Sequence, residues 1–126
     1  MADMQSPTIL NPSVLTPVDP AIENYMLGLT GSTDHPTLDE MEALARSHNF
    51  PIVGRLVGIF LETLAKSTGA RRVFEFGSGY GYSAYWFARA VGERGEVICS
   101  DGNPDNKDQA QRYLSAAGLW DRIDFK

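Results

Sequence analysis

Glu75, three closely spaced glycines, Ser83 and Asp101 are the residues of this 126-residue chain whose types and spacing could do chemistry. The run Glu75-Phe76-Gly77-Ser78-Gly79-Tyr80-Gly81-Tyr82-Ser83 lies between a β-rich stretch and a predicted helix over about 83–91. In that context glycines let the backbone turn sharply and approach a ligand closely. The helix beyond them presents free N–H groups to an anionic group. Asp101 follows a second β-rich run and stands 20 residues after Gly81. An acid at the end of such a strand can accept both hydroxyls of a ribose in nucleotide-binding α/β folds. Loop and acid together define a nucleoside site with a negatively charged group at one end. Glu75 lies in a predicted buried strand, where an acid is costly unless it is paired.

The spacing separates two ligand classes. A dinucleotide fingerprint, Gly-x-Gly-x-x-Gly, would put its third glycine at position 82, which is Tyr82. The pattern present is Gly-x-Gly-x-Gly, preceded by Glu75 two residues before the first glycine. This resembles the first motif of class I S-adenosylmethionine-dependent methyltransferases. Residues 60–124 are similar to the caffeoyl-CoA and catechol type of O-methyltransferase. The matching residues are Phe60-Leu61, Leu64, Lys66 and Ala70 ahead of Glu75-Phe76-Gly77, then Gly81-Tyr82-Ser83, then Ala117-Gly118-Leu119 with Arg122-Ile123-Asp124-Phe125. Residues 19–59 match more loosely.

The resemblance implies a Rossmann-like α/β fold with N-terminal helices, an S-adenosyl-L-methionine cofactor, and methyl transfer to a hydroxyl of a small-molecule acceptor. By the same resemblance, Glu75 helps hold the methionine end through hydrogen bonds. The backbone at Gly77 and Ser78, with the Ser83 side chain, surrounds the amino-acid moiety; Gly79 and Gly81 complete the loop, and Asp101 takes the ribose. The family position of Val53 is often a Thr or Ser touching the cofactor, and valine leaves only backbone or apolar packing for that contact. Family members continue through a seven-stranded sheet. The part after its fourth strand carries aspartates for a divalent cation such as Mg, which lowers the pKa of the acceptor hydroxyl. Those ligands and the catalytic base are expected beyond Lys126, so no catalytic residue and no metal ligand is assigned here. The chain is expected to be the N-terminal half of such a fold, truncated after about three parallel strands and inactive alone.

Elements that position these residues follow from periodicity and caps. Pro7, Pro12 and Pro17 among Ser, Thr and Asn mark 1–18 as an irregular arm. Asp19-Pro20 starts a helix whose Ile22, Tyr25, Met26 and Leu29 share a face, with Gly31 placed to end it. Thr37-Leu38-Asp39-Glu40 reads as a capping box opening a second helix to about Ser47. A third helix over 52–68 carries Val53, Leu56, Val57, Phe60, Leu61 and Leu64, a stripe wide enough to predict packing on more than one side. From residue 69 onward, strands alternate with helices: 72–76, 83–91, 96–100, 103–117 and 122–126. That alternation predicts βαβ units and a parallel sheet. The organisation expected is an arm over 1–18, N-terminal helices over 19–68 and a partial cofactor-binding α/β domain over 69–126.

Composition narrows the function classes. There are 11 Lys+Arg against 16 Asp+Glu, and residues 1–50 hold seven acids with Arg46 as their single base. No basic face is offered to nucleic acid or to a membrane surface. Cys99 is the lone cysteine, so no disulfide framework exists and a cytoplasmic setting is expected. His35 and His48 lack a second ligand at metal-binding spacing. The Tyr85-Trp86-Phe87 cluster reads as core. A three-stranded sheet leaves an open edge and bare helix faces, so self-association as a homodimer is expected. Two alternatives stand beside the methyltransferase reading. One is a non-catalytic nucleoside-binding or interaction module derived from a methyltransferase; the other, a nucleotide-binding oxidoreductase, is disfavoured by Tyr82. Competition between S-adenosylhomocysteine (SAH) and NADH separates the first and last readings.

Overall fold

The computed structural model describes residues 19–30 and 36–126. The expected arm over 1–18, the helix stop at Gly31 and the loop residue His35 lie outside them. Helices α1 (Pro20–Leu29), α2 (Pro36–His48) and α3 (Arg55–Ser67) precede β1 (Arg72–Phe76), α4 (Tyr82–Val91), β2 (Glu96–Ser100) and α5 (Pro104–Ala116). A 3₁₀ turn at Trp120–Arg122 leads into β3 (Ile123–Phe125). The three strands are parallel in the order β1-β2-β3, with Glu75 level with Cys99 and Cys99 level with Phe125.

Caps explain several boundaries. The Asp19 carboxylate accepts the Ala21 N–H at 2.8 Å, and Asn103 does the same for Asp105 at 3.0 Å, each just before a proline in the first turn. Two starts differ from the sequence reading. Helix α2 begins at Pro36 rather than being capped by Thr37, which is buried within the first turn. Helix α3 begins at Arg55 rather than Ile52, because Gly54 takes φ 79 and holds residues 51–54 out of the helix. Val53 therefore sits in an extended segment ahead of α3.

The core lies between the sheet and the helices. Val97, Cys99 and Phe125 point into it from the strands, and Trp86, Leu38, Met41 and Leu114 fill it from the helices. Helix α4 packs on β1 and β2, and α3 packs on α4. Strand residues alternate faces, so Phe74 and Phe76 project from the opposite side of β1, where Phe76 is 85% exposed.

The wide stripe on α3 does not pack as expected. Val57, Phe60 and Leu64 are exposed, and the face turned inward is Gly58, Glu62 and Ala65. Size decides this. A Cβ at position 58 would lie 2.1 Å from the Trp86 indole nitrogen, so only glycine lets the two helices meet here. Buried Glu62 is neutralised at that seam by Lys66 at 2.5 Å and Arg89 at 3.3 Å. Arg89 in turn lies over the Tyr85 and Trp86 rings.

Gly58→Ala should therefore lower unfolding stability by about 1–3 kcal/mol through overpacking. Gly28→Ala in α1, where a Cβ meets nothing within 4 Å, should leave stability equal or raise it by up to about 1 kcal/mol. Urea unfolding of both variants checks the contrast, and equal effects would contradict it.

Candidate functional site

Parallel pairing of Phe76 with Ser100 brings the carboxyl ends of β1 and β2 level, so Gly77 and Asp101 leave the sheet side by side. The Ser78 N–H donates to the Ser100 carbonyl at 2.9 Å, and the Ser100 N–H donates to the Ser78 hydroxyl at 3.2 Å. Gly77 and Gly79 take φ 70 and 52, which side chains rarely adopt. The loop then closes on Asp101. Its Oδ2 accepts the Gly79 N–H at 2.8 Å, and its Oδ1 accepts the Asn103 N–H at 2.9 Å and the Asn106 amide at 3.0 Å. A carboxylate has about four acceptor positions, so one remains for a ligand. The Asn103 N–H, aided by Asn106 and Gly79 against a smaller cost of burial, holds the Asp101 pKa below its ordinary value.

Glu75 is half-buried on the covered face of β1, and it is paired. It accepts the Ser83 hydroxyl and, at 3.9 Å, the Cys99 thiol. Burial pushes that thiol up to about 12; a hydrogen bond from Ser78 opposes the shift, and the Glu75 charge reinforces it. Cys99 is thus a neutral, fully buried filler.

A cavity of about 180 Å³ opens above the loop, lined by Val53, Gly77, Ser78, Gly79, Ser83 and Asp101 among the expected residues. Glu75 stands behind it, joined through Ser83. Gly81 does not line it. A Cβ there would come within 3.1 Å of Leu114 and 3.2 Å of Ala110, so this glycine, at φ 91, lets α5 approach the start of α4. The remaining wall is Phe50, Pro51 and Ile52, with Tyr80 and Tyr82. The sequence reading assigned Phe50, Pro51 and Ile52 no part in the site. Pro51 and Gly54 together were the available signal, since they bracket a stretch that cannot continue either helix. A second cavity of about 440 Å³ shares Phe50, Pro51 and Ile52 and reaches Glu42, Arg46, Asn49 and Arg55.

Both loop tyrosines turn their hydroxyls away from the site toward α2. Tyr80 donates to the Met41 carbonyl at 3.0 Å, and burial pushes its pKa up to about 12. Its ring stacks near Phe50, with centroids 4.8 Å apart. Tyr82 donates to Glu42 at 2.7 Å. His48 is exposed at the end of α2, within 3.3 Å of the Leu44 carbonyl and 2.8 Å of the Ser47 hydroxyl, a capping role.

The arrangement suits a ligand with an anionic group at one end and a hydroxyl donor at the other. Helix α4 has no side-chain cap at Gly81, and its first residues Tyr82 and Ser83 line the cavity, where a helix start favours an anionic group, while Asp101 lines it as an acceptor. At 180 Å³ the cavity holds part of a drug-sized ligand, for which sites start near about 300 Å³. Among the described residues, no three His, Cys, Asp or Glu side chains converge to hold a metal.

Residues 29–126 match the O-methyltransferase family. A catechol O-methyltransferase of Mycobacterium tuberculosis is 32% identical over 109 residues, which are 85% of this chain and 47% of that protein. A methyltransferase from Geobacter sulfurreducens superposes with a TM-score of 0.80 at 38% identity, over 86% of this chain and 57% of that one. An O-methyltransferase from Bacillus cereus, solved in complex with SAH, superposes with a TM-score of 0.74 at 29% identity, over 84% and 49%. The chain spans about half the length of the curated relatives it matches.

The bonds to Asp101 carry a pH signature. Its folded pKa is lowered, so the contribution is full above the ordinary aspartate value of about 3.9 and fades as pH falls through the depressed one. Asp101→Asn should lower the urea midpoint near neutral pH, and its deficit, level down to about pH 4, should shrink between about pH 4 and about pH 2. A constant deficit across that range would contradict the assignment.

Proposed function

The chain belongs to the O-methyltransferase family, and from that premise we propose that it supplies the cofactor-binding part of an S-adenosylmethionine-dependent enzyme methylating a hydroxyl of a small molecule. The observation that carries the reading is the convergence, on one cavity, of the glycine loop, the uncapped start of α4 and the Asp101 carboxylate.

S-adenosylmethionine, when bound, would supply an electrophilic methyl carbon, to which an acceptor oxygen bonds as the sulfur leaves as the neutral thioether of SAH. The residues of this chain serve to hold it. Glu75, kept in place by Ser83 and Cys99, is proposed to receive the ammonium of the methionine end. The open N–H groups at the start of α4, with backbone at Gly77 and Ser78, face its carboxylate. Asp101 keeps one acceptor position for the ribose; taking both hydroxyls requires release of Asn106 or another of its present donors. Gly79 places its amide on Asp101 and so closes the loop beneath the ribose. Val53, Phe50 and Ile52 supply an apolar wall. Holding donor and acceptor in line is where such a site gains most of its rate. Among the described residues, no cluster of acidic, imidazole or thiol side chains builds the divalent-cation site that the resemblance implies.

A cytoplasmic setting is part of the same reading, supported by a lone cysteine that is fully buried. No helix among the described residues is long and apolar enough to cross a membrane. The acidic balance supports a small-molecule acceptor over nucleic acid. Self-association as a homodimer is supported by the exposed Val57, Phe60 and Leu64 on α3 and by Phe74 and Phe76 on β1.

Calorimetric titration with SAH should give saturable binding. Asp101→Ala should weaken it about tenfold or more, the effect of losing a hydrogen bond to a charged group, and NADH should not compete. A folded chain with no affinity for SAH would overturn the proposal. Sedimentation at rising concentration should show a dimer, and charged replacements at Phe60 and Leu64 should return it to monomer. A monomer at all concentrations would refute the association.

A further inference from the structure

Glu42 lies on α2, outside every motif of the chain and outside the wall of the loop cavity, yet it is bonded to the first residue of α4. Its Oε1 accepts the Tyr82 hydroxyl at 2.7 Å and the Arg55 Nε–H at 3.0 Å, and Arg55 also donates to Asp39 at 2.8 Å. Burial alone would lower the Arg55 pKa, but its bonds to Glu42 and Asp39 outweigh that and hold the guanidinium charged above its ordinary value. Burial first, then the Glu42 bond and charge, raise the Tyr82 phenol above its ordinary value. Tyr82 therefore stays a phenol and donates this bond to Glu42.

Tyr82 is buried, lines the cavity and begins helix α4, whose start has no side-chain cap. The loop before it contains three glycines at positive φ, residues that accept many backbone shapes with little preference. A loop of that kind keeps one shape only when contacts outside it select that shape. Asp101 fixes it at Gly79 and Tyr80 fixes it through Met41. The helix start itself is anchored from α2 through Tyr82.

We propose that Glu42, braced by Arg55, is a positioning residue for the cofactor: through the Tyr82 hydroxyl it sets the start of α4 and so the aim of the N–H groups that receive the anionic end of the ligand. The inference rests on the cofactor reading above, and it makes the N-terminal helices part of the binding machinery.

Two readouts test it on the intact chain, SAH affinity by calorimetry and hydrogen exchange of the amides over 79–84. Tyr82→Phe removes one hydroxyl and leaves Glu42 paired with Arg55, so the chain keeps its fold. It should bind SAH about tenfold more weakly, as expected for a lost bond to a charged group, and exchange those amides faster. Glu42→Gln keeps an oxygen acceptor and should stay within about threefold of the parent. Adding Glu42→Ala to Tyr82→Phe should weaken binding by no more than about twofold further, because both act through one bond. Parent-like affinity in Tyr82→Phe, or losses that multiply in the double variant, would overturn the proposal. Faster exchange in Tyr82→Phe with no SAH binding by the parent would sustain the hold on the loop and overturn the cofactor reading instead.

Discussion

Parallel pairing of β1 with β2 is the constraint from which the site follows. In a parallel pair both chains run the same way, so the carboxyl ends lie together and the connections after them share one rim of the sheet. With Phe76 level with Ser100, the two residues that leave the rim are Gly77 and Asp101. A register shifted by one residue would turn Cys99 and Glu75 to opposite faces and carry Asp101 away from the Gly79 amide. The reciprocal bonds between Ser78 and Ser100 lock the register at its end. The carboxylate at Asp101 is thus a structural tie between the loop and the start of α5.

The covered face of the sheet carries the second requirement. The Glu75 carboxylate only accepts hydrogen bonds, so it needs donors around it, and it has them in Ser83 and Cys99. Both come from different elements, α4 and β2, so the acid is satisfied only once those elements have docked. Paired donors offset the cost of placing this half-buried acid against the core, and they also fix its rotamer. Helix α2 completes the enclosure from the other side through Tyr80 and Tyr82.

Packing beyond the site is uneven. The inner seam between α3 and α4 is made by a glycine against a tryptophan and by a buried acid between two cations, while Val57, Phe60 and Leu64 of α3 face outward. The bare side of β1 shows the same inversion, with Phe74 and Phe76 in contact with each other, centroids 4.6 Å apart, and with Phe76 largely exposed. Apolar periodicity predicts that a face will be buried, and it is silent on what buries it. Close approach of two helices instead depends on which pair of faces fits in volume, and Gly58 against Trp86 won that competition.

By itself the sequence determined most of the local elements and which residues stand at the candidate site's loop. The alternation from residue 72 onward, the proline-led helix starts at Pro20 and Pro104, and the acid-glycine-serine run with Asp101 were legible because each depends on neighbours within a few residues. Cys99 and the Tyr85-Trp86-Phe87 cluster were legible as interior for the same reason. Tertiary structure alone decided which distant groups meet. Nothing near Phe50 or Ile52 announces that residues 50–53 form a cavity wall, and nothing near Glu42 announces a bond to a tyrosine forty residues on. Gly81 shows the division within one residue: its type marked the turn, but its need for a bare Cα comes from Ala110 and Leu114 on α5. Local propensity is written in short-range spacing, whereas these contacts arise from how helices of given bulk pack on a sheet of given register.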